Sequence, residues 1–356
     1  MRNRVSAAFT SRREPRTKQI DMASAVQIEI LDLRHFSAST LRPVLEAESR
    51  VWAKRLDWDY RASARLLLQY LDSHILPGYV AVENGRVSGY VFCVYEGNKA
   101  VIGDVFATST ETDPDSAARI ELRLLEHIIE LLQSSPGIDR IESQLLLHPF
   151  AVHQQVFQNH GFAMFHRLFM EQDLHSPAVA QLPPGFSIRD GMPDDLEIRI
   201  WNDGDFASAG RLIVDAYEGH LDSLINDQYR TIAGAMRFLH NIVRFPGCGL
   251  FDASASRVIF SRKHKEIVAM LLCSRVREDV GHVTQLCVNH EFRQRGLGSL
   301  LLAACAAELR GRGFHALTLT VTEDNADAVA LYRKREFQTR HTFNAMVWEN
   351  ERLSGG

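Results

Sequence analysis

The stretch that decides the fold is residues 281–302, GHVTQLCVNHEFRQRGLGSLLL, which reads as a strand, a glycine-rich turn and the start of a helix. Leu286 and Val288 lie in the short apolar strand, the turn RQRGLG covers residues 293–298, and Ser299 opens a helix rich in Leu and Ala. Glycines let successive backbone N–H groups point the same way, and the helix dipole adds about half a positive charge. With two arginines beside it, this turn is predicted to bind phosphate.

The pattern R-x-x-G-x-G alone also fits an ordinary strand-to-helix turn, and that alternative stays open at this point. Two better-known phosphate sites fit less well. A Rossmann site needs G-x-G-x-x-G and an acidic residue ending the next strand, and a P-loop needs G-K-[ST] after its glycines. Here Arg293 begins the turn, and the residues around Gly296 and Gly298 match neither motif. The sequence therefore argues against both a dinucleotide site and a P-loop.

Length and composition indicate a globular protein of about two domains. Its 356 residues are enough for two cores, and 46% are hydrophobic while 24% are charged. The net charge of −4 gives no overall attraction for nucleic acid or for an anionic membrane, so neither is expected as a partner. No apolar run approaches the roughly 18 residues of a membrane span.

The cysteines favour a reducing compartment. They lie far apart, without a C-x-x-C pair or a histidine spacing suited to zinc, and are interpreted as small buried hydrophobic residues. The five are Cys93, Cys248, Cys273, Cys287 and Cys305. The sequence therefore predicts a cytoplasmic protein without a metal site.

The chain divides into a basic tail and two units joined by a linker. Residues 1–24 hold few large apolar groups, so a disordered tail is expected, with a transit peptide as the alternative. A proline-containing break places the linker at residues 176–185. The first unit is then residues 25–175, and the second is residues 186–356.

An internal repeat relates the two units. Gly161 precedes Phe162 just after a Val-Phe pair, and Glu336 precedes Phe337 just after a Leu-Tyr pair. The offset, 337 minus 162, is 175 residues. Each unit is predicted to follow the order β-α-α-β-β-β-α-β-α-β.

Residues 186–350 resemble the GNAT superfamily of acyl-CoA N-acyltransferases. Two motifs carry the resemblance: the turn at residues 293–298, and the later N-x-x-A-x-x-L-Y run formed by Asn325, Ala328, Leu331 and Tyr332. It implies an α/β (α+β) fold class with two tandem GNAT folds, each a mixed, mostly antiparallel central sheet flanked by helices. It also implies acetyl-CoA as co-substrate. The tandem layout, with the active copy second, is similar to that of mycothiol synthase.

The resemblance implies a role for each motif residue. The turn and helix start would hold the CoA pyrophosphate, and the strand edge at Leu286 and Val288 would hydrogen-bond the pantetheine arm, which Asn325 would also touch. Tyr332 would protonate the departing thiolate, although an aromatic residue at this spacing is also typical of a core. The residues of the turn and helix start are Arg293, Gln294, Arg295, Gly296, Leu297, Gly298 and Ser299.

Acyl transfer to an amine makes a general base worth looking for. An amine of pKa about 10.4 is neutral only about once in 2,500 molecules at pH 7, a cost of about 4.6 kcal/mol. His282 lies where histone-type members carry a catalytic glutamate and arylalkylamine-type members a histidine, and Glu323 is the second candidate. The alternative for His282 is a surface histidine at a strand end. Thr320 stands where ribosomal-protein-type members carry a glutamate, which counts against their mechanism.

The sequence departs from the family at two places. Glu336 replaces the glycine that usually precedes phenylalanine, and a positive φ would strain it by about 1 kcal/mol or more. In the first unit, Asp113 and Asp115 stand in the turn and would repel phosphate, and Phe157 replaces the tyrosine. The first unit is therefore predicted to be catalytically silent and to support the second or shape its acceptor cleft.

These observations favour an acyltransferase that moves an acetyl group from acetyl-CoA to a primary amine by direct attack. A small-molecule amine is the favoured acceptor, with a protein N-terminus or lysine as the alternative. A non-catalytic acyl-CoA-binding regulator is the competing class of protein. The acceptor's identity, the length of the acyl group and the oligomeric state do not follow from the sequence.

Overall fold

The computed structural model describes residues 28–109, 113–176 and 195–350. The predicted tail at residues 1–24 and nearly all of the predicted linker lie outside the described residues. No helix among the described ranges is long and apolar enough to cross a membrane.

The first unit follows the predicted order of elements. Its elements are β1 (Ile28–Asp32), α1 (Ala38–Leu56), α2 (Arg61–Asp72), β2 (Gly78–Glu83), β3 (Arg86–Glu96), β4 (Lys99–Ala107), α3 (Ser116–Ser134), β5 (Arg140–Gln144), α4 (Gln154–Asn159) and β6 (Ala163–Asp173).

The second unit repeats this order with a short helix and a short strand added. Its elements are β7 (Leu196–Ile200), α5 (Phe206–Tyr217), α6 (Asp222–Ile225), α7 (Ile232–Arg244), β8 (Leu250–Phe251), β9 (Arg257–Ser261), β10 (Glu266–Arg277), β11 (Val280–Val288), α8 (Leu297–Gly311), β12 (Ala316–Thr322), α9 (Ala326–Lys334) and β13 (Gln338–Glu349). The additions are α6 and β8.

The two units share one continuous sheet because they exchange their last strands. The strand order is β1-β2-β3-β4-β5-β13-β6-β12-β11-β10-β9-β7, with β8 pairing to β10 at the side. Strand β13 of the second unit therefore lies between β5 and β6 of the first, and β6 lies between β13 and β12. All neighbours are antiparallel except the β4–β5 and β11–β12 pairs. The sheet is therefore mixed and mostly antiparallel.

The residue pairing of the exchanged strands β6 and β13 follows the 175-residue offset of the internal repeat. Met170 of β6 lies opposite Leu319 of β12, and Ala345 of β13 lies opposite Gln144 of β5. Adding 175 to 170 and to 144 gives 345 and 319, so the two pairs are equivalent. The internal repeat is therefore visible in the hydrogen-bonded ladder as a local two-fold relation between the units.

Helices cover both faces of the sheet and bury its apolar residues. Ile120, Leu124 and Ile128 of α3 recur at helical spacing and are fully buried against the first unit's strands. Each such side chain contributes about 1.5–3 kcal/mol relative to an exposed one. On another part of the sheet, α1 and α2 share a core with Val276 and Val280 of the second unit. The two units are thus joined by a common core as well as a common sheet.

Candidate active site

A gap opens in the sheet where β11 and β12 diverge. The two parallel strands pair only over residues 280–283 and 316–319. Directly afterwards Thr284 is an extra residue in β11, since Cys273 lies opposite Val283 while Leu272 lies opposite Gln285. Such a bulge bends its strand. The rest of β11 therefore leaves β12, and the space between them is open to a ligand.

The edge of β11 presents backbone groups to this gap. The N–H of Asn289 donates to the carbonyl of Val268 in β10 at 2.9 Å. Because alternate residues of a strand direct their backbone groups to opposite edges, those of Leu286 and Val288 face the gap. The Val288 carbonyl accepts a long hydrogen bond, 3.4 Å, from Nε of Arg293. The two residues predicted to bind the pantetheine arm therefore lie at the open edge.

The predicted phosphate turn joins β11 to α8 with two residues in the left-handed region. Gln294 has φ 60° and Gly296 has φ 78°. Gly296 is the N-cap of α8 and supplies no side chain to cap it, and the first turn bonds from the N–H of Leu300 to the Gly296 carbonyl. The N–H groups of Leu297, Gly298 and Ser299 therefore precede the helical ladder, which is the arrangement that binds anions.

The arginines around the turn have separate structural contacts. Arg293 donates from Nη2 to the carbonyl of Ala216 at the end of α5, and the guanidinium of Arg295 lies 5.0 Å from the centre of the Phe292 ring. Both side chains remain exposed at the helix N-terminus. Arg335, just after α9, donates to the hydroxyl and carbonyl of Ser299 at 2.7 and 2.8 Å. Three positive charges thus surround the proposed pyrophosphate position.

Tyr332 belongs to the buried core cluster against which Leu286 and Val288 of β11 pack. It belongs to α9, is 8% exposed, and contacts the ring of Phe337 at 5.8 Å. Burial raises the pKa of its phenol above the ordinary 10, and the charge of Asp222 raises that pKa further. The phenol is therefore neutral at physiological pH and can donate a proton or a hydrogen bond.

A polar cluster near Tyr332 includes a residue that the sequence analysis missed. Arg167 reaches the site from β6 of the first unit and donates to Oγ1 of Thr322 at 3.0 Å and Oγ1 of Thr320 at 3.3 Å. It lies 3.5 Å from Oδ1 of Asp222, which also accepts a hydrogen bond from Thr322. No motif marks Arg167, because it enters only through the strand exchange.

His220 and Asn325 extend this cluster. His220 lies 3.8 Å from the Asp222 carboxylate through its Nδ1, and its Nε2 is 3.3 Å from the amide of Asn325. Asn325 is the N-cap of α9, with its side-chain oxygen accepting from the N–H of Ala328. Tyr229 stacks on Tyr217 with ring centres 4.3 Å apart. His240 is exposed on α7 and contacts Phe245.

The first unit anchors the segment that carries this cluster. Lys99, which is 3% exposed, pairs with Asp227, and Glu142 accepts the N–H of the same aspartate at 3.1 Å. Arg140 donates to the carbonyl of Leu224 at 2.6 Å. Buried hydrogen-bonded charges fix geometry strongly, because breaking one leaves its partner uncompensated. The second unit's acceptor side is therefore built partly on the first unit.

The two predicted bases lie apart from each other. His282 is 6% exposed, is enclosed by Trp58 and Phe169 at ring distances of 5.0 and 6.0 Å, and has Nδ1 2.9 Å from the Thr318 hydroxyl. It lies where β11 and β12 are still paired. Glu323 is half-exposed and pairs with His166 of the first unit at 3.0 Å. Their catalytic roles stay predictions, and the enclosure of His282 does not favour it as a base.

Glu336 has φ 62°, which confirms the expected departure from the family at this position. The equivalent residue of the first unit, Gly161, has φ 76°. Both copies thus use the same left-handed turn after their last helix, at a cost of about 1–2 kcal/mol where the residue is glutamate.

The first unit lacks an equivalent phosphate turn among its described residues. Asp113 pairs with Arg119, and Asp115 precedes α3, while residues 110–112 lie outside the described ranges. Phe157 is fully buried where the second unit has Tyr332. The carboxylate of Glu121 accepts the N–H of Ala107, the last residue of β4, at 3.0 Å. In the first unit, the strand edge equivalent to Val288 is therefore bound by the protein itself.

The family comparison agrees with this geometry. Residues 225–337 match the family described as Acetyltransferase (GNAT) family. The matched residues lie within the second unit. The match spans β11, the turn, β12 and α9, so it includes every element that forms the gap. No curated protein matches the chain in sequence.

Solved structures extend the likeness to both units. A GCN5-related N-acetyltransferase from Sphaerobacter thermophilus is 15% identical, with a TM-score of 0.57 over 91% of this chain and 96% of that chain. A tandem GNAT protein from the clavulanic acid biosynthesis pathway is 14% identical, with a TM-score of 0.56 over 91% of this chain and 99% of that chain. At these identities the likeness shows the fold alone. The chain therefore has a tandem GNAT fold.

Substituting the turn glycine tests the cofactor site. Gly296→Asp places a negative charge where the pyrophosphate is expected and a side chain at φ 78°, so acetyl-CoA affinity is expected to fall below detection in calorimetry. Gly313→Asp is the matched control, because Gly313 also has a positive φ, 83°, with no atom within 4 Å of an added Cβ, beyond the other end of α8. Unchanged affinity in Gly296→Asp would contradict the site.

The enclosed His282 predicts a pH dependence of stability. Burial lowers its pKa from 6.5 to about 3, so between these values the unfolded chain binds a proton that the folded protein does not. Stability present above pH 6.5 is therefore lost as the pH falls, by up to about 1.4 kcal/mol per pH unit. Chemical unfolding of wild type and His282→Asn near pH 6.5 and one unit lower should show the larger loss in wild type. Equal losses would show that His282 titrates normally in the folded state.

Proposed function

We propose that this protein transfers an acetyl group from acetyl-CoA to a primary amine, at one site in the second unit. The observation that carries the proposal is the open β11 edge, which leads to an uncapped, positively charged helix start and packs against the core cluster that contains Tyr332. A thioester arm laid along this edge has its phosphates at the turn and its sulfur toward the phenol. The same elements are self-bound or replaced in the first unit, which supports a single working site.

The reaction follows from the groups around the gap. The ammonium group first gives one proton to a base, and the neutral nitrogen then attacks the thioester carbonyl carbon. The C–S bond breaks, the nitrogen loses its second proton, and the CoA sulfur gains one. Tyr332 is the group that we place beside the sulfur, because its buried phenol remains protonated. Backbone N–H groups at the β11 edge would stabilise the tetrahedral oxyanion. Direct attack therefore needs no covalent intermediate on the protein.

The acceptor is expected to bind beside Asp222. Its carboxylate has 15% side-chain exposure and attracts an ammonium group, while Arg167 and Thr322 hold it in place. His220, with 24% side-chain exposure, is the more exposed member of the pair that it forms with this carboxylate. We place the base at this pair rather than at His282 or Glu323, because His220 lies between the Asp222 carboxylate and the amide of Asn325. The enclosed, charged setting favours a small-molecule amine over a protein segment.

A thiol-release assay with Tyr332→Phe tests both the reaction and the residue. Wild type mixed with acetyl-CoA and a panel of small primary amines should release CoA thiol with at least one of them. Tyr332→Phe should lower kcat about 10-fold to 10³-fold with acetyl-CoA affinity nearly unchanged, because only the leaving-group step loses its donor.

Tyr70→Phe serves as the matched control. Tyr70 is 40% exposed on α2 of the first unit, so the same loss of a hydroxyl should leave kcat unchanged. Full activity in Tyr332→Phe would remove this tyrosine from the mechanism. Tight acetyl-CoA binding without thiol release for small amines or protein amines would instead point to a regulator.

A further inference from the structure

Two histidines and a glutamate meet inside the first unit, away from the acetyl-transfer site. Glu121 belongs to α3, His148 follows β5, and His153 directly precedes α4. All three residues are buried, the most accessible being His148 at 9%. One ligand atom of each lies within 4.8 Å of those of the other two.

His148 directs an unprotonated nitrogen at the glutamate. Its Nε2 is 2.8 Å from the carbonyl oxygen of Val105, and since a carbonyl only accepts, Nε2 carries the proton. In a neutral imidazole that carries its proton on Nε2, Nδ1 holds a lone pair. This nitrogen faces Oε2 of Glu121 at 3.7 Å. Two acceptor atoms thus face each other in a buried place, an arrangement that a cation between them would satisfy.

The same glutamate oxygen faces the second histidine. Oε2 of Glu121 lies 3.1 Å from Nε2 of His153, while Oε1 is fixed by the N–H of Ala107. Ligands at 2.0–2.1 Å from a tetrahedral zinc ion are about 3.3 Å apart, between the two separations seen here. Nδ1 of His153 is buried and has no hydrogen-bond partner among the described residues. Among the described residues, the hydrogen bond between Nε2 and Glu121 is therefore the one polar contact that holds this ring.

A small cavity lies next to the two histidines. It has a volume of about 10 Å³, room for about one water molecule, and is lined by His148, His153 and Asn344, among others. Asn344 comes from β13 of the second unit, is 6% exposed, and its Oδ1 has no partner within the described part of the chain. The cavity thus offers a further polar group, and space for a water molecule, beside the two histidines.

We propose that Glu121, His148 and His153 bind a divalent first-row transition metal ion, with zinc the best match. Two imidazoles and one carboxylate are a donor set that such ions take, with a fourth position left for water. The hydrogen bond from His148 to a backbone carbonyl is the outer contact that orients metal-bound histidines. This proposal does not depend on the acetyl-transfer reaction.

The proposed metal site accounts for the difference between the β4 edge of the first unit and the β11 edge of the second. Ala107 ends β4 as Val288 ends β11, and Glu121 binds the Ala107 N–H that would otherwise face a thioester arm. A metal ion at Glu121 joins α3 to the segment before α4, the two elements that would otherwise enclose a cofactor. Where the second unit has its proposed cofactor position, the first unit thus has a metal ion that links two of its elements. The sequence did not reveal this, because Glu121 and His148 are far apart along the chain.

Metal titration of the full chain tests the proposal. Chelator-treated, dialysed protein should bind one Co²⁺ per chain with the visible absorption of a low-symmetry site, and Zn²⁺ should displace it. Glu121→Gln and His153→Gln should each weaken binding by at least about 10-fold. His127→Gln is the matched control, because His127 is an exposed histidine on the same helix, and it should bind like wild type.

The metal-binding test still distinguishes the outcomes if one of the variants does not fold. Acetyl-CoA affinity and circular dichroism show whether each variant is folded, and X-ray absorption of the zinc-loaded wild type needs no variant. A shell of two imidazoles with oxygen ligands supports the site. Absence of stoichiometric binding by wild type, equal affinity in the folded glutamate and histidine variants, or a shell without imidazole would overturn it.

Discussion

The antiparallel pairing of β6 with β13 is the constraint on which the rest of the structure depends. Each unit gives its last strand to a position inside the other's half of the sheet, so neither half is complete alone. The exchange carries Arg167 from the first unit to the acceptor side of the second, and it carries Asn344 from the second unit to the cavity of the first. A change at this pair would therefore alter both sites at once.

The two units share one order of strands and helices, and they differ in the side chains beside the β11 edge and the corresponding β4 edge. In the second unit, the β11 edge faces an open gap and leads to an uncapped helix start at Gly296. In the first, Glu121 binds the corresponding edge, and Phe157 stands in place of Tyr332. Buried polar groups need partners, so a copy that gives up its ligand must supply those partners itself. The first unit does so with its own carboxylate and histidines, and its surface supports the second unit's acceptor segment.

Sequence reasoning reached the fold and the turn between β11 and α8 because both are encoded locally. Glycine spacing, strand alternation and helical period all lie within short windows, and the repeat offset of 175 reappears in the ladder register. The strand exchange was not predictable, because hydrophobic pattern identifies strands without specifying which edges pair. Arg167 and the Glu121 cluster depend on that pairing. The burial of His282 depends on it too, because Phe169 of β6 encloses this residue together with Trp58.

The central claim is that a two-copy fold holds a single acetyl-CoA site, in its second unit. The most direct measurement is the stoichiometry of acetyl-CoA binding to the full chain, determined by titration calorimetry with an independently measured protein concentration. The account predicts one acetyl-CoA per chain. A value of two would show that the gap of the first unit is also open, and no binding would contradict the proposed role of the turn and of the β11 edge.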